Sequence, residues 1–245
     1  MHEHGKIILN GDDSLLWNQK KSGNHKAIYF GVSKPDCDLK GLEIREADGM
    51  LYFLAQRDRS QFAVELALEG QHYVHDALAA IAVGMELGVG IDDIGRSLSQ
   101  FQNMAGRQEI FEKNGFTIIR DCYTAGPESM AAALNVLGNR PGRHVAVLGD
   151  MLELGACTRA EHYKVGRIAA EKADILLAFG PNSDGMLNGA RTGGMSANYA
   201  RAFTDKEKMI QVLKQMAKPG DAILFKGSRG MRMEQVLEAF LQEEK

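Results

Sequence analysis

The sequence predicts an α/β protein in which a doubly wound, mostly parallel sheet fills the second half of the chain. A β-rich portion ending in helices precedes it. Three observations lead there. Short continuous apolar runs recur after residue 115, at Phe116–Ile119, His144–Leu148, Ile175–Phe179, Tyr199–Phe203 and Ala222–Phe225. Amphipathic stretches with start signals separate them, and repeated β-α units imply parallel strands with helices on both faces. Up to about Leu68 the chain reads as β-rich instead, with short apolar runs, a hairpin signal and one alternating stretch.

Lys6–Leu9 and Ala27–Val32 are short apolar runs, and Leu42–Glu46 and Met50–Ala55 flank Asp48-Gly49, a hairpin signal. Phe62, Val64, Leu66 and Leu68 alternate as a half-buried strand. The period then changes: Leu78, Ile81, Ala82 and Met85 share one face of a buried helix that stops at Gly88, and a second helix spans about Ile91–Phe101. Asn103–Arg107 reads as a crossing between two units, placing domains at 1–105 and 106–245. Beyond it, Gly126 serves as N-cap and Pro127 as first helical residue before Met130, Ala133, Leu134 and Leu137. Thr158-Arg159-Ala160-Glu161 and Thr204-Asp205-Lys206-Glu207 both read as capping boxes. Met209, Val212, Leu213 and Met216, then Met233, Val236, Leu237 and Phe240, form the apolar stripes of the last two helices.

Composition narrows the function classes. With 44% hydrophobic and 25% charged residues, the 245-residue chain reads as soluble and globular. At net charge −3, with cations interspersed among anions, it shows no basic patch for nucleic acid. Cys37, Cys122 and Cys157 are too scattered for a disulfide framework or a CxxC site. No apolar run reaches membrane-spanning length, and Met1–Gly5 lacks a signal-peptide core, so a cytoplasmic setting is expected.

Ligands in doubly wound sheets bind beyond the carboxyl ends of the strands. Four loops lie there: Asp121–Gly126, Gly149–Gly155, Gly180–Gly185 and Lys226–Gly230. Lys226, Ser228 and Arg229 offer two cations and a hydroxyl to a phosphate or carboxylate; the bland alternative is a solvated basic loop. Asp150 and Glu153 could hold a cation or a substrate ammonium, or simply cap a helix. His72 and His75 could share a helix face, but no third metal ligand is placed, whereas a nucleotide contact at that helix start is the better use of His72. Arg107, in the crossing, could reach a phosphate from either unit. Neither GxxxxGK[ST] nor GxGxxG occurs, and no nucleophilic triad is legible.

Taken together and in order, six segments resemble the back half of the Mur ligases. They are Asn10-Gly11-Asp12-Asp13; Gly70-Gln71-His72 with Ala77–Ala82; Gly106-Arg107-Gln108-Glu109; Asp121–Met130; Gly149–Gly155; and Lys226–Met231. The likeness is greatest to members that add D-alanyl-D-alanine to UDP-N-acetylmuramoyl-tripeptide. It implies an ATP-dependent amide ligase that works through an acyl phosphate. It also implies a chain starting inside a central ATPase domain (1–105) and running through a C-terminal Rossmann-like domain (106–245).

By the resemblance, His72, Arg107, Asp121 and Tyr123 face the nucleotide, and Lys226, Ser228 and Arg229 the substrate. No catalytic or metal-binding residue falls in this chain. The family's Walker loop, its magnesium-binding Glu and His and its carbamylated lysine are expected upstream of Met1, so the parent would use ATP and Mg2+ while this part alone is expected to be inactive. The missing N-terminal half, UDP-N-acetylmuramoyl-tripeptide and D-Ala-D-Ala are the expected partners. Many members carry asparagine where this chain has Tyr73 and Asp76, and others where it has Thr124 and Gly126. Those replacements remove donors to ribose or substrate and keep open a second reading, a non-catalytic remnant that binds nucleotide or protein. An unrelated Rossmann-like enzyme using another nucleotide is the third.

Overall fold

The computed structural model describes residues 5–19 and 27–242. The chain divides into two units, Met1–Gln102 and Asn103–Lys245. Met1–His4, most of the segment read for a signal peptide, lie outside the described residues.

Among the described residues, the first unit is a five-stranded mixed sheet with three helices, one of them a single turn. In order across the sheet the strands are β1 (Ile7–Asn10), β2 (Ala27–Gly31), β3 (Leu39–Ala47), β4 (Met50–Arg57) and β5 (Ser60–Leu66). β1, β2 and β3 run parallel, while β3, β4 and β5 form an antiparallel meander. Ala47 pairs with Met50 across Asp48-Gly49, and both turn residues have positive φ, as a two-residue hairpin requires. A four-residue helix α1 (Ser14–Trp17), which no periodicity announces, is capped by Asp13, whose carboxylate accepts from the Leu15 and Leu16 amides. The buried helix α2 (His72–Glu86) lies over β1, β2 and β3, and its Val74, Leu78 and Ile81 belong to the same core as Leu51, Phe53, Val64 and Leu66. It ends at Gly88, with φ +78, and α3 (Ile91–Ser99) follows.

Asp12 organises the strand ends of this unit. Its carboxylate accepts from the amides of Val32, Ser33 and Lys34 and lies 2.8 Å from His75 Nε2. Burial alone would raise its pKa, but these partners hold it below the ordinary carboxylate value. His75 is therefore committed to Asp12.

The second unit is a six-stranded sheet in the order β10-β9-β8-β11-β7-β6. Its elements are β6 (Glu109–Lys113), β7 (Phe116–Asp121), α4 (Pro127–Gly138), β8 (His144–Gly149), α5 (Thr158–Lys172), β9 (Ile175–Phe179), α6 (Ser183–Thr192), β10 (Ala200–Phe203), α7 (Lys206–Met216), β11 (Ala222–Lys226) and α8 (Met233–Leu241). Every pairing is parallel except that of β6, an antiparallel edge strand that the sequence pattern does not announce. The central strands β8, β9 and β11 are buried nearly throughout, as their apolar runs require. α4, α5 and α6 build one core on one face of the sheet, and α7 and α8 build the other.

Two helix starts differ from expectation. Asp205, not Thr204, caps α7, accepting from the Glu207 and Lys208 amides. A carboxylate one residue later outcompetes the hydroxyl because it carries full charge at the positive end of the helix. Thr158 is already helical; a single 3-10 turn, Gly155–Cys157, feeds α5, and Glu161 pairs with Lys164 rather than reaching back.

α5 and α6 meet through glycine. A Cβ at Gly166 would lie 1.9 Å from the Met186 carbonyl oxygen, and one at Gly189 would lie 2.0 Å from that of Tyr163. Among the described residues, no helix is long and apolar enough to cross a membrane.

Candidate functional site

β7 and β11 are neighbours in the sheet, yet they send their chains to opposite faces: β7 leads to α4 in one core and β11 to α8 in the other. Such a switch point leaves a crevice beyond the strand ends. Six of the seven candidate residues, Arg107, Asp121, Tyr123, Lys226, Ser228 and Arg229, belong to the unit that carries this crevice. His72 belongs to the first unit, at the start of α2, where its ring lies 4.2 Å from that of Tyr73.

Asp121 and Lys226 are register partners at the ends of their strands. The Lys226 ammonium, 1% exposed, lies 2.5 Å from Asp121 Oδ2 and donates to the Thr124 carbonyl at 3.0 Å. Both charges are spent on each other, so the pair holds the Asp121–Thr124 turn rather than presenting two free charges. Ser228 is likewise occupied. Its Oγ accepts from the Leu152 amide at 2.9 Å and donates to the Ala125 carbonyl at 3.3 Å, while its own amide donates to the Asp150 carbonyl. One hydroxyl thus ties the loops after β7, β8 and β11 together.

The outward groups are the others. Tyr123 is 43% exposed and the Arg107 guanidinium stacks on its ring, 4.5 Å from the centroid. That pair offers a planar cation and an aromatic face to a phosphate or a base. Arg229 is 69% exposed, 3.4 Å from Glu234. The Gly106 carbonyl accepts from the Cys122 and Tyr123 amides, and its amide donates to Glu109. Gln108, at φ +43, directs its amide toward Asp121 Oδ1 at 3.4 Å. This corner gives Gly106–Glu109 a role that a bare crossing segment would not have.

Gly126 and Pro127 open α4 as expected, and the Ser129 hydroxyl accepts from the Gly126 amide. An open cavity of about 510 Å³ lies at this helix start, lined by Gly126, Pro127, Glu128, Ser129 and Glu161. Its two carboxylates oppose the anion attraction of the helix end.

The loop after β8 resolves the two alternatives for its acids. Asp150 is wholly buried: Oδ2 accepts from both the amide and the side chain of Asn182, and Oδ1 has no partner. Glu153 is exposed and left-handed, φ +66. Neither caps a helix. Beside Asp150 sits His162, a fully buried residue of α5 that no sequence motif singles out. Its spacing on a half-polar helix carries no signal.

Cys122 is buried and donates to the Phe225 carbonyl; burial, with a lesser push from Glu234, raises its thiol pKa to about 12. Cys37 is also buried and Cys157 exposed. A brief treatment with iodoacetamide is therefore expected to modify Cys157 and leave the other two unlabelled until urea unfolds the chain, as peptide mass mapping would read. Early labelling of Cys122 would contradict the packing described.

Among the described residues, no group of three His, Cys, Asp or Glu side chains is placed to hold a metal ion. With Asp121 held by Lys226, the site does not fit a resident Mg2+.

A family profile described as "Mur ligase, glutamate ligase domain" matches residues 106–229. The UDP-N-acetylmuramoyl-tripeptide–D-alanyl-D-alanine ligase of Escherichia coli is 34% identical over 98% of this chain and 53% of its own length. The Bacillus subtilis ligase of the same name is 30% identical over 99% of the chain and 52% of its own. Among solved structures, MurF from Acinetobacter baumannii superposes with a TM-score of 0.86 at 28% identity, covering 98% of this chain and 52% of that one. MurF from Thermotoga maritima in complex with ADP gives 0.80 at 26% identity, covering 98% and 53%. The chain therefore spans about half the length of the relatives it matches. The profile accounts for more than half of its residues, and the chain belongs to the Mur ligase family.

Proposed function

We propose that this chain forms part of an ATP-dependent ligase that joins D-alanyl-D-alanine to UDP-N-acetylmuramoyl-tripeptide. The carrying observation is that relatives named for that activity match along nearly its whole length, through both units. In this reading residues 1–105 are the later part of a central ATPase domain and 106–245 the C-terminal domain. The ADP held by the Thermotoga relative supports nucleotide as a ligand.

In the reaction, a tripeptide carboxylate oxygen attacks the γ-phosphorus of ATP and ADP leaves. The dipeptide amine then attacks the acyl carbon, loses a proton and expels phosphate. Arg107, held flat by Tyr123, would set its charge against the nucleotide phosphates. Arg229 would meet a substrate carboxylate. Asp121, Lys226 and Ser228 would act by fixing the turns on which the exposed groups stand, so charge stabilisation rests on preorganised cations. The sequence contains no phosphate loop of the GxxxxGK[ST] type. The chain alone should therefore bind nucleotide weakly and ligate nothing.

Calorimetric titration with Mg–ADP tests this. Weak saturable binding is expected, reduced about tenfold or more in Arg107→Ala, since a charge-assisted hydrogen bond is lost. No phosphate should appear when ATP, tripeptide precursor and D-Ala-D-Ala are added together. Turnover by this chain alone, or binding indifferent to Arg107, would defeat the reading.

A further inference from the structure

The loop after β8 is held by a ring with a choice of two partners. His162 Nδ1 lies 2.7 Å from the Thr158 carbonyl, one turn back on α5, and must donate to it. Nε2 then carries the lone pair, and the Met151 amide donates to it at 3.1 Å. Asp150 Oδ1, 3.6 Å from the same Nε2, is buried without a partner. The next amide along, Leu152, donates to Ser228 Oγ, the hydroxyl that joins three strand-end loops. Gly185 of α6 packs against the base of the side chain, where a Cβ would lie 3.0 Å from His162 Cβ.

We infer that His162 is a positioning residue for this crevice. Its neutral ring holds Met151, and through Leu152 the Ser228 hydroxyl, in place; its protonated ring turns to Asp150 and lets the loop go. The chemistry leaves little latitude. An imidazolium has a donor on each nitrogen, so Nε2–H would oppose the Met151 amide. The same N–H would satisfy the orphaned Asp150 oxygen, a buried acceptor whose lack of a partner is costly. Each protonation state therefore satisfies one buried group and abandons the other, which makes two discrete arrangements.

Asp150 is the one charged side chain that acts on the ring among the described residues. Burial opposes protonation, while Asp150 and the Thr158 carbonyl favour it, and the net effect lifts the ring above its ordinary pKa. The exchange of partners thus lies within reach of mild acidification. The link to a ligand rests on the function proposed above; the arrangement of the loop does not.

The test is nuclear magnetic resonance of the full chain, labelled with 15N, followed from mildly alkaline to mildly acidic pH without ligand. In alkaline solution His162 should show a pyrrole-like Nδ1 and a pyridine-like Nε2. On protonation, exchange protection of the Met151 and Leu152 amides should fall about tenfold, the worth of one net hydrogen bond. In His162→Gln, whose amide oxygen can accept from Met151 at any pH, protection should persist and the pH dependence vanish. A proton on Nε2 in alkaline solution, protection indifferent to pH in the native chain, or the same pH dependence in His162→Gln would each overturn the inference. Should the variant not fold, the titration of the native chain still decides. Because none of these readouts involves ADP, failure to bind ADP would defeat the proposed function and leave this result standing.

Discussion

Gly166→Ala is expected to cost about 3 kcal/mol, the upper end for overpacking a close-packed interior. The obstacle is backbone: the added methyl would lie 1.9 Å from the Met186 carbonyl oxygen, and no rotamer can relieve that. Gly189→Ala meets the Tyr163 carbonyl at 2.0 Å and should behave alike. Either change forces α5 and α6 apart and opens the core that Val165, Ala169, Met186 and Ala190 share. Gly95, in α3 of the other unit, has open space where a methyl would stand, with nothing within 4 Å, so Gly95→Ala should stabilise its helix by up to about 1 kcal/mol. Urea unfolding of the three variants separates close packing from a general effect of alanine. Gly166→Ala with an unchanged midpoint would show that the helices do not meet as described.

Lys226→Met should be comparably severe, about 3–5 kcal/mol, the usual result of removing one member of a buried ion pair. It leaves Asp121 Oδ2 and the Thr124 carbonyl without their donor. Asp121→Asn should also be costly, because it leaves a lysine that is 1% exposed without a counter-ion. Both replacements together should cost less than the sum of the two by at least about 1 kcal/mol, since the double variant buries no lone charge. Simple additivity in a denaturant cycle would mean that the two charges do not depend on each other. A lysine serving only to hold a ligand would show the opposite pattern: unchanged stability and lost affinity.

The alternation of apolar runs and helices is readable in the sequence because central strands buried on both faces have no polar side to hide them. Asp48-Gly49 and Gly126-Pro127 are readable because few residues suit positive φ or a first helical position. β6 is not. Only Ile110 and Phe111 in Glu109–Lys113 are apolar, and an edge strand needs only one partner. The residues of the crevice can be named from sequence, but not their directions. Lys226 reads as a surface cation until β11 is seen beside β7, with Asp121 directly across. His162 is invisible for a related reason. Its partners, Thr158 excepted, come from a loop eleven residues earlier, and no local pattern predicts which backbone amide a histidine will meet.

The position of β11 has a consequence for how the molecule is made. It follows all the other described strands in sequence but lies between β8 and β7, pairing with both. Until Ala222–Lys226 have been synthesised, the ribosome has delivered two partial sheets whose facing edges are bare, each an invitation to another chain. The late strand must then slide into a gap and stop at the right residue. One step too far or too short would put Phe225 or Gly227 opposite Asp121 and turn every β11 side chain to the wrong core. The lone cation at the end of an otherwise apolar strand marks the stopping point, so the charge that steadies the finished crevice also proofreads its assembly.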